Sequence, residues 1–484
     1  MIPFGAYQPD TAGVNTKVLL EARNVLPIAG GMFGPLKAPL AATTALDDAC
    51  QGAVVVLKDD GNAAQYAGDA NKLYKLAVGA WSDVSRTSGG AYATALGDRW
   101  KFTLFGTSVI ATNYTDDVQF IDVVSGTNFA ALAGSPPKAR FIDVVRDQVW
   151  LGAVNGTEKR VHWSGLNDAS FWTPGTQSCD YQDAASGGPI RGIIGGAQAW
   201  IFQQQRVTRA TFTPGSTAVY QFDEVQGGKG IAAQNTLVRV GDMAWYYSSD
   251  GPYEFAVSSG GTQPIGVGKW RQSFINDIRA GTEYVMQAAA DPVHPIVMFA
   301  YVSRDNGTLT PDRVLIYDWS LKEATFADIS VEAMTTWLSS GVTLDTMNSF
   351  GTLDTLPFSL DSPYWKGGAS LVGIFGTDHK LYHLQGQPMA ATFITADGSL
   401  DARTFLTGLT PVVDTPSITA AVHGRERDGD TVTFGVQEAM EDTGEIPCHI
   451  SGNYVRAKLQ IPSGTAWTLM QGIRVPDPKK RGKR

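Results

Sequence analysis

Two histidines near residue 380 are the residues best placed to bind a metal ion. His379 and His383 are four positions apart and follow Asp378, and residues four apart on a strand share one face. Imidazole with carboxylate is a common ligand set for transition metals. No third or fourth ligand follows at a recognisable spacing, so the pattern favours ordinary histidines at the protein surface. We expect no metal and no other cofactor.

Motifs for nucleophilic catalysis and for nucleotide binding are missing from the sequence. It has no Gly-x-Ser-x-Gly, no phosphate-binding Gly-x-x-x-x-Gly-Lys-Ser/Thr and no Gly-x-Gly-x-x-Gly after a strand. The cysteines, Cys50, Cys179 and Cys448, are odd in number and widely spaced, which fits neither a disulfide framework nor a Cys-x-x-Cys metal site. The sequence predicts no catalytic residue, and we expect the protein not to be an enzyme.

A basic cluster stands at the end of the sequence. Its five members are Lys479, Lys480, Arg481, Lys483 and Arg484. The formal net charge is -9, so the residues before the cluster carry about -14, which argues against a general nucleic-acid binder. The cluster is interpreted either as a solvated terminus or as an electrostatic contact with nucleic acid or an acidic partner surface.

The elements that must position these residues form a repeat. Trp100, Trp150, Trp200 and Trp245 recur at intervals of 45 to 50 residues, each in or beside a short apolar run rich in β-formers. Equivalent runs lie at 53–57, 296–301 and 371–375, which makes seven. A recurring aromatic in meanders of this length is typical of a β-propeller. We therefore predict an all-β protein with a propeller of about seven blades, with six to eight possible, and tryptophans in its core.

Turn residues support short antiparallel strands. Asn155-Gly156 and Asn306-Gly307 are predicted to form type I′ hairpins, in which both central residues have positive φ. Two short helices are also predicted. One covers 331–338, and the other follows Gly268, where Trp270, Phe274 and Ile278 recur on one helical face.

Composition shifts divide the chain into four parts. Residues 1–48 are predicted to be an extended N-terminal arm, and 49–390 the propeller with an insertion at 330–368. Residues 391–475 predict about six further strands in a β-sandwich-like domain. Residues 476–484 form the basic tail. The longest clean apolar stretch is near 296–302, far shorter than a membrane span.

Several segments resemble the tail nozzle, or packaged-DNA stabilisation, proteins of short-tailed bacteriophages. The resemblance spans most of the chain in a common order. Its segments are 24–31 (NVLPIAGG), 83–86 (DVSR), 163–172 (WSGLNDASFW), 187–193 (GGPIRGI), 312–320 (DRVLIYDWS) and 451–462 (SGNYVRAKLQIP).

The resemblance implies a structural virion protein of the tail, assembled in the cytoplasm of the host bacterium. It implies a homohexameric ring below the portal and adaptor, with tail fibre or tail-tip proteins as further partners. The ring would retain packaged double-stranded DNA and conduct it during ejection, without reading its sequence. The insertion at 330–368 and the segment 27–39 are the candidate gating loops. The alternative function is a carbohydrate-binding or carbohydrate-cleaving β-propeller at the tail tip.

Overall fold

A computed structural model describes residues 2–11, 13–58, 63–77, 79–184, 186–216, 218–225, 227–291, 294–338, 370–475 and 479–480. Across these residues the protein is almost entirely β-structure. The described helical segments are α1 (Arg271–Asp277) and a 3₁₀ turn at Glu283–Val285. No helix in this part of the chain has the length and apolar character needed to cross a bilayer. The all-β prediction is confirmed.

The first five strands come from the predicted arm. They are β1 (Ile2–Pro3), β2 (Leu19–Arg23), β3 (Val25–Ile28), β4 (Met32–Pro35) and β5 (Lys37–Ala45). The arm is therefore not a free extended segment. Its strands pair with strands far along the sequence, and several of its large apolar side chains, among them Leu19, Val25 and Phe33, are buried.

Five antiparallel meanders, each of four strands, follow one after another along the chain. The first is β6 (Ala53–Leu57), β7 (Ala63–Gly68), β8 (Leu73–Ala77) and β9 (Ala80–Asp83). The second is β10 (Lys101–Phe105), β11 (Ser108–Thr112), β12 (Gln119–Asp122) and β13 (Ala130–Ala131). The third is β14 (Ala139–Val145), β15 (Gln148–Val154), β16 (Thr157–Trp163) and β17 (Asp180–Asp183). The fourth is β18 (Ile190–Ile194), β19 (Ala199–Gln203), β20 (Val207–Phe212) and β21 (Tyr220–Glu224). The fifth is β22 (Val238–Val240), β23 (Met243–Ser248), β24 (Gly251–Ala256) and β25 (Thr262–Pro264).

A sixth separate sheet joins the two ends of the repeat. It contains β30 (Ala333–Leu338), β31 (Ser370–Phe375), β32 (Lys380–Pro388) and, as its outer strand, β5 from the N-terminal segment. These six four-stranded sheets are blades of a β-propeller, so the prediction of an all-β propeller is confirmed, whereas the count of about seven blades and the separate β-sandwich-like domain are not. Since β5 precedes the first blade directly in the chain, its pairing with β32 ties the last blade to the first.

One more meander has the same strand order but belongs to a larger sheet. It consists of β26 (Gln287–Asp291), β27 (Ile296–Tyr301), β28 (Arg313–Asp318) and β29 (Glu323–Asp328). Its first strand packs beside β22 and β30. Its last strand, β29, pairs in parallel with β2 through Arg23 and Phe326.

The remaining strands come from the C-terminal part. They are β33 (Ala391–Thr395), β34 (Gly398–Val413), β35 (Thr419–Arg425), β36 (Glu438–Ala439), β37 (Ile446–Ile461), β38 (Met470–Arg474) and β39 (Lys479–Lys480). Together with β1–β4 they form the unit that we call the terminal sheet. Its strand order, β2-β33-β37-β34-β38-β4-β3, begins and ends on neighbouring segments joined only by Asn24. The sheet therefore curls back on itself. The predicted boundaries at 48 and 390 stay a prediction.

The recurring tryptophans are core residues, as predicted. Trp150, Trp200 and Trp245 are fully buried in the second strands of their blades. Trp100 is buried too, but it precedes the first strand of its blade. The spacing of 50 residues between Trp100 and Trp150 therefore does not place them on equivalent strands. The long connection between β9 and β10 makes the spacing match the blade period.

Three local predictions are corrected by the structure. The predicted helix at 331–338 contains strand β30, because its residues pair with β31 inside a blade. At Asn155-Gly156 a hairpin is present, but Gly156 has positive φ and Asn155 does not, while Ala153 takes the left-handed conformation at a β-bulge. Asn306-Gly307 lies in a longer loop between β27 and β28. The helix predicted after Gly268 is confirmed as α1.

Candidate functional site

A short loop connects the starts of several inner strands at one end of the propeller. The first strands of the blades are its inner strands, since β10 packs on β6 and β14, and β14 on β18. Residues 93–98, here called the plug loop, cross the starts of these strands. The carbonyl oxygen of Gly97 accepts hydrogen bonds from Gln234 Nε2 at 2.9 Å and Asn235 Nδ2 at 3.2 Å.

The plug loop is held from the other side of the axis as well. Gln51 Nε2, ahead of β6, donates to the Ala95 carbonyl oxygen at 3.2 Å. Arg140 of β14 donates from Nε to Asp98 Oδ1 at 2.7 Å. Asp98 is buried, so this ion pair is shielded from solvent and salt. One loop is thus bound by residues at the starts of three inner strands, β6, β14 and β22, which belong to blades on different sides of the propeller.

Basic side chains gather next to the plug loop. Four consecutive inner strands carry a basic residue at their first or second position: Lys101, Arg140, Arg191 and Arg239. Arg99 precedes them in the chain and donates to the Cys50 carbonyl oxygen at 2.9 Å. Sequence reasoning missed this set. Its signal was available, because the four positions recur at intervals near the blade period.

A cavity of 210 Å³ lies among these residues and is lined by Lys101, Asp143, Gln234 and Arg239, with apolar side chains of β14 and β18. We call it the axial pocket. Gln234 connects it to the plug loop, because it accepts from Arg191 Nη1 at 2.8 Å while donating to Gly97.

Burial shifts the pKa values of the charged groups in the axial pocket and next to the plug loop. Burial, followed by repulsion from Arg99, lowers the pKa of Lys101 to about 8. Burial also lowers the pKa values of Arg99 and Arg191. The carboxylate in the lining, Asp143, accepts hydrogen bonds from the backbone N–H groups of Val144 and Gly195, and burial raises its pKa.

The structure also brings together a cysteine and a histidine that the sequence did not suggest. Pairing of β16 with β17 sets His162 Nε2 3.9 Å from Cys179 Sγ. A nucleophilic cysteine needs a thiolate beside an imidazolium. Here burial raises the pKa of the Cys179 thiol to about 11 and lowers that of His162 to about 4. Both groups are therefore neutral near pH 7, and the contact packs the blade.

The two histidines singled out for metal binding do not share a face. His379 lies in the turn before β32 with φ 64°, and its Nδ1 is 2.9 Å from Glu332 Oε2. His383 lies within β32 and is buried, which corrects the predicted surface location. Because His379 precedes β32, the rule that residues four apart on a strand share one face does not apply to this pair. Within the described ranges no group of three or more His, Cys, Asp or Glu residues is arranged to hold a metal ion.

The basic tail is described in part. Lys479 and Lys480 form β39, which pairs with Phe405 and Thr404 of β34. Arg481, Lys483 and Arg484 lie outside the described residues. The electrostatic contact predicted for the cluster stays a prediction.

The predicted gating segments are also only partly described. Segment 27–39 is not a loose loop, because it contains parts of β3, β4 and β5, each paired within a sheet. Of the insertion at 330–368, residues 339–368 lie outside the described residues.

Comparison with known proteins gives structural similarity alone. No family model and no curated protein matches the chain. Among solved structures it is similar to the extracellular domain of the hybrid two-component system BT4673 from B. thetaiotaomicron, with 11% identity and a TM-score of 0.42. The match covers 76% of this chain but 41% of that one, so the chain spans about two fifths of its length. BamB from Moraxella catarrhalis matches over 75% of this chain and 93% of its own, with 12% identity and a TM-score of 0.36. A chain of the mitotic checkpoint complex matches over 74% and 96%, with 12% identity and a TM-score of 0.39.

Proposed function

We propose that this chain is a structural, non-enzymatic subunit of a bacteriophage short tail. Copies of it would form a nozzle ring below the portal and adaptor, which retains packaged double-stranded DNA and conducts it during ejection. The proposal rests on the resemblance of the six sequence segments. The structural observation that bears most on it is the plug loop, which links inner strands of different blades.

The plug loop supports a DNA conduit that lies between copies of the chain and not within one propeller. Gly97 and Asp98 link the starts of inner strands from different blades through Gln234, Asn235 and Arg140, which leaves little room for duplex DNA among these strands. A conduit then requires several copies around a common axis, and ring closure by one repeated head-to-tail contact supplies it. We propose six copies, as in the family that the chain resembles.

The proposed subunit has seven blades. The meander β26–β29 would be the seventh, with its last strand extended by the terminal sheet. Supporting this, β26 packs between β22 and β30. Seven hydrophobic clusters also lie between consecutive meanders, and the one between β22–β25 and β26–β29 continues into the terminal sheet through Phe33, Phe393 and Leu459.

The charge of the chain suits a conduit that must release its cargo. A body of about -14 repels phosphates, which limits adhesion of DNA to the wall. The terminal sheet brings both ends of the chain to one region, and we propose this region as the attachment surface for the adaptor and for tail fibre or tail-tip proteins. The protein would then be located in the virion tail after assembly in the bacterial cytoplasm.

Co-assembly with the virion connector proteins tests the proposal. The purified chain would be mixed with portal and adaptor proteins from the same genome, and the masses of the products measured by native mass spectrometry. We expect a complex with six copies of the chain. A monomer without affinity for either protein contradicts the proposal. Cleavage or tight binding of host surface polysaccharide under the same conditions would favour the carbohydrate-directed alternative.

A variant series tests the role of the basic tail in the same assay. All five basic residues from Lys479 to Arg484 would be changed to glutamine, with the exposed pair Lys159 and Lys322 changed likewise as the control. If the tail makes an electrostatic contact, the tail variant assembles less well and loses the salt dependence of the wild type. Identical assembly at every salt concentration shows that the tail is a solvated terminus.

A further inference from the structure

Two basic residues of the set, Lys101 and Arg239, line the axial pocket together with one carboxylate, Asp143, whereas Arg99 and Arg191 are not part of its lining. Lys101, Arg99, Arg191 and Arg239 form no ion pair within 4.0 Å among the described residues. Arg140, the remaining basic residue of the set, is paired with Asp98 at 2.7 Å and with Glu158 at 3.3 Å. Unlike Arg140, these four residues take no part in the ion pair that holds the plug loop.

The hydrogen bonds of these residues also leave donors available. Arg99, Arg191 and Arg239 donate to the oxygens of Cys50, Gln234, Gly195 and Gly241, whereas no hydrogen bond is recorded for Lys101 Nζ among the described residues. Lys101 is partly buried. A cation in such a place is costly unless it is paired, so its presence calls for a compensating group.

We propose that the axial pocket binds a small oxyanion, a phosphate or sulfate group, with Lys101 and Arg239 as its charged contacts. Both side chains line the cavity, and Gln234 supplies a polar group beside them. The volume of 210 Å³ equals about seven water volumes, which accommodates one tetrahedral anion with its remaining water. This inference goes beyond the proposed tail function, because the pocket is formed within a single chain.

Protonation of the pocket agrees with this ligand. The pKa of Lys101 is about 8, so the ammonium is present at pH 7 and is lost as the pH rises above 8. Asp143 faces the same cavity; its oxygens accept hydrogen bonds from two backbone N–H groups, and the charge of Arg239 acts against the rise of its pKa. An anion in the pocket therefore competes with this carboxylate for Arg239, and Lys101 is the cation without a carboxylate partner among the described residues. Anion binding should therefore weaken between pH 7 and pH 9.5.

Equilibrium dialysis with radiolabelled sulfate at constant ionic strength tests the proposal on the full-length chain. Sulfate keeps one charge state over this pH range, so any pH effect reports the protein. We expect one sulfate per chain, with the affinity falling as the pH rises from 7 to 9.5. Lys101→Met should weaken binding about tenfold or more, and Arg239→Gln should weaken it as well. Lys159→Met, an exposed lysine of the neighbouring blade, should leave binding unchanged.

Thermal melts show whether the variants are folded. Lys101→Met removes a partly buried unpaired charge, so it should melt at or above the wild-type temperature in the absence of sulfate. The proposal is overturned if the wild type binds no sulfate near millimolar concentrations. It is equally overturned if folded Lys101→Met binds as well as wild type, or if Lys159→Met loses binding to the same extent.

Discussion

The blades and the terminal sheet reach stability by different routes. The strands of most blades are neighbours in the sequence, as in β14–β17, with the blade that contains β5 as the exception, and large aromatic side chains fill the spaces between blades. The terminal sheet pairs residues from opposite ends of the chain, such as Arg23 with Thr392. It also contains a buried charged cluster in which Arg425 and Arg456 both bind Asp397. A blade can therefore form from local contacts, whereas the terminal sheet needs the whole chain.

The largest effect is expected for an aromatic between blades. Trp150 is fully buried and stacks on Trp163 with ring centroids 4.9 Å apart, while Tyr220 contacts it edge-on at 4.7 Å. Trp150→Ala should cost about 4 kcal/mol of unfolding free energy, measured by urea denaturation. Val124→Ala, at a side chain 75% exposed, should change it by less than about 0.5 kcal/mol. A loss below 1 kcal/mol for the tryptophan would contradict its assignment to the core.

The buried charges of the terminal sheet should rank second. Asp397 Oδ2 lies 2.5 Å from Nη2 of both arginines, so Asp397→Asn leaves two guanidinium groups without their shared carboxylate. We expect a loss of about 3 kcal/mol. The matched control is Asp183→Asn, which breaks the exposed pair with Arg160 at 2.6 Å and should cost less than about 1 kcal/mol. Equal losses in the two variants would show that burial does not distinguish the two regions.

Acid should weaken the blades through His383. Burial lowers its pKa from 6.5 to about 4, so the unfolded chain takes up a proton near pH 6.5 while the folded blade stays neutral. Stability from this group is complete above pH 6.5 and is lost as the pH falls toward 4, with about 2 kcal/mol gone by pH 5. The urea midpoint, plotted against pH, should change less steeply for His383→Gln than for the wild type. An unchanged slope would assign the acid sensitivity to other groups.

The smallest effect concerns the plug loop. Gly97 has φ +88°, and a Cβ added there would lie 3.0 Å from the ring of Tyr284. Gly97→Ala should cost about 1 to 2 kcal/mol, because an L-residue is strained in this conformation. Gly90 has φ +76° with open space around it, so Gly90→Ala isolates the backbone cost. If Gly90→Ala lowers the free energy of unfolding by more than Gly97→Ala does, the contact of residue 97 with Tyr284 contributes nothing.

The same comparison explains how much the sequence could predict. The blades were predictable because Trp150, Trp200 and Trp245 repeat with the blade period, each on the second strand. Trp100 repeats with the same spacing but lies on another strand, since spacing alone does not define the strand. The terminal sheet was only partly predictable. Its C-terminal strands were expected, but the pairing of β2 with β33 joins segments more than 360 residues apart.

The axial pocket shows a different limit. Lys101, Arg140, Arg191 and Arg239 recur along the sequence, so their common position on inner strands could have been proposed from the repeat. The plug loop could not, because Gly97 and Gln234 are 137 residues apart and neither belongs to a motif. The contact between Cys179 and His162 likewise depends on the register of two strands.

Cryo-electron microscopy of the chain assembled with its adaptor tests the central claim most directly. The account predicts six copies around a lumen that lies between them, with residues 93–98 filling the axis of every propeller. A ring in which DNA passes through the propeller axis would contradict it, and so would a chain that stays monomeric beside the adaptor.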